Sequence, residues 1–147
     1  MSEVWALTPL RRLGHWAAVV LLLAAVSVAV VLLLRDGFGG GIWIFGAIAV
    51  WLLGLLLRAV VAVWIDPDTA EVTLFRAAGG AVRTHLDRLR RLDRGPLDAY
   101  VHQQQRDTLP LRIVTDDGTA TVSIFFARSD ELADALASHA PQLRDAR

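Results

Sequence analysis

Two stretches of this 147-residue chain contain no Asp, Glu, Arg or Lys: Leu13 to Leu34 and Gly37 to Leu57, separated only by Arg35 and Asp36. The first makes a helix about 33 Å long, which matches the roughly 30 Å hydrocarbon core of a bilayer. A single water-soluble core would spread its apolar residues along the chain, so two uncharged runs at the front predict two membrane spans, about 13–34 and 38–58. The glycines of Arg35-Asp36-Gly37-Phe38-Gly39-Gly40-Gly41 supply a tight reversal, and the second helix should return antiparallel beside the first. Gly46, Gly54, Ala17 and Ala24 are small enough for helices to approach closely.

A cleaved signal peptide is the competing reading of the first run. Arg11 and Arg12 precede it and Ser27-Val28-Ala29 has the small residues of a cleavage site. Val30 to Leu34 nevertheless continue apolar where a signal would turn polar, which favours a retained span. Arg11, Arg12, Trp16, Arg58 and Trp64 fall at predicted span ends, where long basic side chains and indole rings anchor helices at the membrane surface. Arg11, Arg12, Arg58 and Arg76 flank the hairpin's two legs and only Arg35 lies between them, so both termini should be cytoplasmic in a multi-pass plasma-membrane protein.

The helix pattern should end near Arg58, because Val60, Val61, Val63 and Ile65 are β-branched and favour a strand. The remainder, 59–147, is then one small cytoplasmic domain. Asp66-Pro67-Asp68-Thr69 predicts a turn into a strand at Glu71 to Arg76, and Ala77-Ala78-Gly79-Gly80 turns the chain into Ala81 to Leu86. Leu86, Leu89 and Leu92, spaced by three, fit a bulged strand or one helical turn. Ala99 to Gln104 is a further candidate strand. Leu109 to Thr115 and Thr119 to Phe126 form a hairpin around Asp116-Asp117-Gly118. Ser129 can cap a helix over about 129–140, with Asp130 and Glu131 in its first turn and Leu132 and Leu136 on one side. The expected core gathers Val72, Leu74, Ile113, Val122, Ile124, Phe126, Leu132 and Leu136.

Six or seven antiparallel strands closed by a C-terminal helix resemble the pleckstrin-homology (PH) architecture, and two preceding helices resemble bacterial PH-like membrane proteins. The segments carrying the likeness are Arg58, Ile65 to Thr69, Arg83 to Leu89, Leu111 to Gly118 and the Ser129 helix. The resemblance implies a membrane α-hairpin joined to an antiparallel PH-like sandwich. It also implies a non-enzymatic adaptor or scaffold that binds a protein partner at the inner membrane face. An accessory subunit of a larger membrane complex, assembled through the hairpin, is the alternative. Lipid-reading relatives use basic residues in the loop between their first two strands, where this chain has Asp66-Pro67-Asp68-Thr69, so specific phosphoinositide recognition is not expected.

No catalytic, cofactor or metal constellation emerges from the residues. The chain lacks cysteine, and His15, His85, His102 and His139 fall in separate elements without metal-ligand spacing. His15, beside Trp16, reads as an interfacial residue. Residues 66–147 hold eleven Arg against thirteen acids, which argues against nucleic acid as a partner. Arg83, Arg88, Arg90, Arg91 and Arg94, interrupted by Asp87 and Asp93, are the candidate membrane- or partner-facing surface.

Overall fold

Pro9 opens α1 (Pro9–Asp36), a position where its missing N–H costs nothing because the first turn has no intrahelical acceptor for it. The computed structural model describes residues 2–36, 41–94, 109–126 and 128–143. The 28 residues of α1 extend about 42 Å, and the 17 of α2 (Ile42–Arg58) about 26 Å. Gly41, with φ 72°, precedes α2 in the left-handed region that glycine enters without strain. The helices lie side by side. A Cβ placed on Gly46 would stand 3.2 Å from the Ala29 Cβ, whereas one on Gly54 would meet nothing within 4 Å. Close approach therefore occurs at only one of the two expected glycines.

Beyond Arg58 the chain passes straight into β2 (Val60–Asp66), in keeping with its β-branched side chains. The sheet holding β2 has the order β1-β2-β3-β4, with β1 (Glu3–Ala6), β3 (Glu71–Arg76) and β4 (Ala81–His85). All its pairings are antiparallel. The strand β1 is absent from the sequence-based expectation. Its register with β2 runs from Glu3↔Ile65 to Ala6↔Ala62, so the helical hairpin is inserted between two neighbouring strands rather than preceding the sheet. A second sheet has the order β5-β6-β7, with β5 (Leu89–Asp93), β6 (Arg112–Thr115) and β7 (Gly118–Thr121). The ambiguous leucine spacing resolves as both alternatives in succession, a 3-10 turn over Leu86–Arg88 and then β5.

Helix α3 (Ser129–His139) closes the space between the sheets with Leu132 and Leu136, both fully buried beside Val63, Val72, Leu74, Leu89 and Ile113. The expected core holds except at Ile124, which is 52 % exposed. The reason is that β7 ends at Thr121, Val122 bridges Val60 in parallel, and Ser123 N–H bonds the Val60 carbonyl instead of continuing along β6. Ser129 also differs from its expected role. It is the first helical residue, Arg128 occupies the cap position without a side-chain cap bond, and the Ser129 hydroxyl accepts a bond from Arg94 instead. The expected strand at 99–104 and the reversal at 37–40 lie outside the described residues.

Candidate functional site

The segment following Val122 packs against the base of α1 and the start of β2. Ser123 N–H donates to the Val60 carbonyl at 2.9 Å, tying the segment to the start of β2. The Ser123 hydroxyl lies 3.1 Å from Nδ1 of His15 on α1 and accepts a bond from Phe125 N–H at 3.3 Å. Phe125 packs edge-on to the His15 ring at 5.7 Å and touches the face of α1 at Gly14. The β3–β4 turn returns to the end of α2, with Ala77 N–H on the Ala59 carbonyl and Ala78 N–H on the Leu57 carbonyl. Both helices are thus fastened to the sheet at their bases.

His15 is completely buried, although it lies within a predicted span. Its Nε2 has no hydrogen-bond partner among the described residues. The imidazole contributes to the wall of a cavity of about 340 Å³ at the helix–sheet junction, together with Arg12, Trp16, Phe75 and Arg76. An adjoining groove of about 360 Å³, lined by Leu7, Pro9, Arg12, Leu13 and Trp16, shares Arg12 and Trp16 with it. Among the described residues no carboxylate lines either.

The expected arginine surface is arranged differently. Arg88 pairs with Asp117 at 3.4 Å, Arg90 with Asp116 at 2.7 Å and Arg91 with Asp93 at 2.7 Å. The acidic β6–β7 turn therefore neutralises Arg88 and Arg90, and Asp93 on β5 itself neutralises Arg91. Arg90 holds the Asp116 carboxyl below the usual carboxylate range, chiefly through their hydrogen bond. Arg94 does not belong to this surface. It is buried and donates to the Leu109 carbonyl, Ser129 and Asp130, which fastens the end of β5 to the start of α3. Arg83 stays exposed on β4.

Of the expected interface anchors, Arg11, Arg12 and Trp16 sit in the first turns of α1, and Arg58 ends α2. Arg11 reaches the Phe125 carbonyl at 3.5 Å. Arg76 joins this group because it pairs across the sheet with Val60. Trp64 does not join it. It lies six residues along the chain from Arg58, opposite Val4 and Thr73, roughly 20 Å away at strand rise.

No protein-family profile, curated protein or solved structure matches this chain. Among the described residues no three His, Asp or Glu side chains come together as a metal site would need. What the junction offers chemically is cationic and apolar: two guanidinium groups, one imidazole and two aromatic walls.

Proposed function

We propose that this chain is a non-enzymatic, membrane-anchored adaptor: its helical hairpin crosses the bilayer and its sheet-and-helix domain, a PH-like sandwich, presents a protein-binding surface at the inner membrane face. The observation that carries the reading is the insertion of the hairpin between β1 and β2 without a linker. Such a joint holds the domain against whatever receives the helices. The apolar surface of the hairpin needs a lipid or protein environment. In α1 only 11 % of the most apolar stretch is buried, and on α2 Phe45 and Trp51 are 74 % and 64 % exposed. Of the two helices, α1 alone meets the length and hydropathy expected of a span, and α2, at 17 residues, stands at the lower limit of about 17 residues.

Over its first seven residues, to His15, α1 meets the domain through Arg11, Gly14 and His15. Residues 16–36 then extend about 31 Å, close to the thickness of a hydrocarbon core. Alkaline extraction of native membranes tests the anchoring, with the chain expected in the pellet. Single cysteines at Ser2, Asp36 and Asp117 test the topology in intact cells. Position 36 should react with an impermeant maleimide, and positions 2 and 117 only after lysis. Reactive positions 2 and 117 in intact cells overturn the cytoplasmic placement.

One observation favours the second reading, an accessory subunit of a membrane complex. Gly46 is occupied by Ala29 inside the hairpin, but the notch at Gly54 is vacant and could receive a helix of another chain. Exchanging the hairpin for an unrelated one separates the two. An adaptor keeps its partner, recovered by crosslinking from native membranes, whereas a subunit loses it.

A further inference from the structure

Arginines in this molecule do not all share one situation. Arg88, Arg90, Arg91, Arg94 and Arg128 each hold a carboxylate. Arg12 and Arg76 have no ion pair among the described residues, and both border the junction cavity, which has no acidic group in its wall. His15 stands in the same wall, buried, with an unpartnered Nε2. Ser123 Oγ accepts the Phe125 amide and lies 3.1 Å from Nδ1; when the hydroxyl donates to Nδ1, the ring proton sits on Nε2 as a donor without an acceptor. Two unpaired guanidiniums beside this imidazole define a site for an anion. Its aromatic and apolar surroundings, continuous with the groove along Leu7 and Leu13, define a site for an anion that carries a hydrocarbon.

We infer that the junction cavity between α1, β2 and the β3–β4 turn binds the phosphate headgroup of an anionic phospholipid, with Arg12 and Arg76 as its cationic clamp and the groove along Leu13 leading its acyl chains to the bilayer. The inference rests on the membrane reading and deepens it. A volume of about 340 Å³ is at the small end for ligand cavities, about 300–1,000 Å³, and suits a headgroup rather than a whole lipid. Guanidinium groups bind phosphate oxygens in paired hydrogen bonds. The inner-leaflet contact is thereby transferred from the β5 arginines, which already hold carboxylates, to the base of the hairpin.

The test uses the purified full chain in nanodiscs of phosphatidylcholine and phosphatidylglycerol, with native mass spectrometry of the lipid retained after mild extraction. The wild-type chain should retain phosphatidylglycerol in preference to phosphatidylcholine. Arg12→Gln and Arg76→Gln, both at exposed positions, should each lower that preference about fivefold, the factor expected for one basic residue near an anionic surface. Arg90→Gln with Arg91→Gln should leave it unchanged. Equal retention of the two lipids by an inserted chain, or an undiminished preference in the double Arg12/Arg76 variant, overturns the site. Release of phosphatidylglycerol by millimolar inorganic phosphate overturns the lipid assignment in favour of a free-phosphate site. A chain that fails to enter nanodiscs overturns the membrane reading, and this site with it.

Discussion

Two arginines, Arg90 on β5 and Arg94 just past its end, show how differently the same side-chain chemistry contributes. Arg94 has a side chain only 7 % exposed and donates to the Leu109 carbonyl at 2.8 Å, to Ser129 Oγ at 3.0 Å and to Asp130. Removing it leaves buried acceptors without donors, so Arg94→Ala should cost about 2–3 kcal/mol in urea unfolding. Arg94→Lys should recover only part, because an ammonium cannot fork between separated acceptors. A loss within about 0.5 kcal/mol, the range of an ordinary surface change, would show that this network does not fasten α3. Arg90 and Asp116 form the contrasting, fully exposed pair, and such pairs stabilise little. Their effect on pH dependence still has a definite sign. The folded-state pKa of Asp116 lies below its unfolded value of about 3.9, so its contribution is complete above that value and is lost as pH falls through the folded one. Asp116→Asn should therefore be slightly less stable than wild type at neutral pH, with the two urea midpoints converging as the pH falls below the unfolded value. Midpoints that diverge in acid would contradict the pairing.

At the scale of elements, the helix boundaries make a comparison within one helix. A Cβ on Gly46 would stand 3.2 Å from the Ala29 Cβ, so that one helix would have to give by a few tenths of an ångström, and Gly54 faces open space. Gly46→Val should lower the stability of the helical hairpin by about 1–3 kcal/mol, as overpacking does, and Gly54→Val should not. Thermal melts of the helical circular-dichroism signal in detergent compare them, and equal losses would remove close packing as the cause. The sequence placed those elements well whose chemistry is local. The end of α2 at Arg58, the strand Glu71–Arg76 and the helix to His139 are each marked within a few positions by β-branching, by turn residues or by first-turn acids with Leu132 and Leu136 on one side. Elements defined by distant partners were not legible. Glu3-Val4-Trp5-Ala6 is only four residues long, and its partner strand follows two helices later. Ile124 continues an alternating pattern, and Val122 N–H still binds the Leu111 carbonyl in register with β6, yet Ser123 N–H turns to the Val60 carbonyl, which takes the chain out of that sheet. The junction site was legible only in pieces. Arg12, Trp16 and Arg76 stood out as membrane-flanking residues, whereas the His15–Ser123 contact joins positions 108 apart, and no local pattern announces it.

Considered as a whole molecule, the chain is a β-sheet from which a helical hairpin projects between adjacent strands. Leu7 N–H donates to the Val61 carbonyl at 3.1 Å, so β1 and β2 are still paired where α1 is about to begin. The hairpin occupies the place of a tight turn, and a tight turn should be able to replace it. If residues 8–59 give way to a Gly-containing turn of about two to four residues, the shortened chain should fold and be recovered in the aqueous fraction. Phe125 would lose its cover from Gly14 and His15, but the core beneath α3 contains no residue from either helix. A chain beginning at residue 59 should behave worse, although it too lacks the helices. Without β1 the edge of β2 is bare and prone to pair with other chains. The chain also loses two contacts with the C-terminal part, Glu3 to His139 at 3.6 Å and Trp5 beneath Arg128 at 5.1 Å. It should aggregate or melt at least about 4–8 °C below the turn-closed chain, the shift that about 1 kcal/mol produces in a domain of this size. Equal melting temperatures would mean that β1 contributes nothing to the fold and that the hairpin joins the sheet at one leg only.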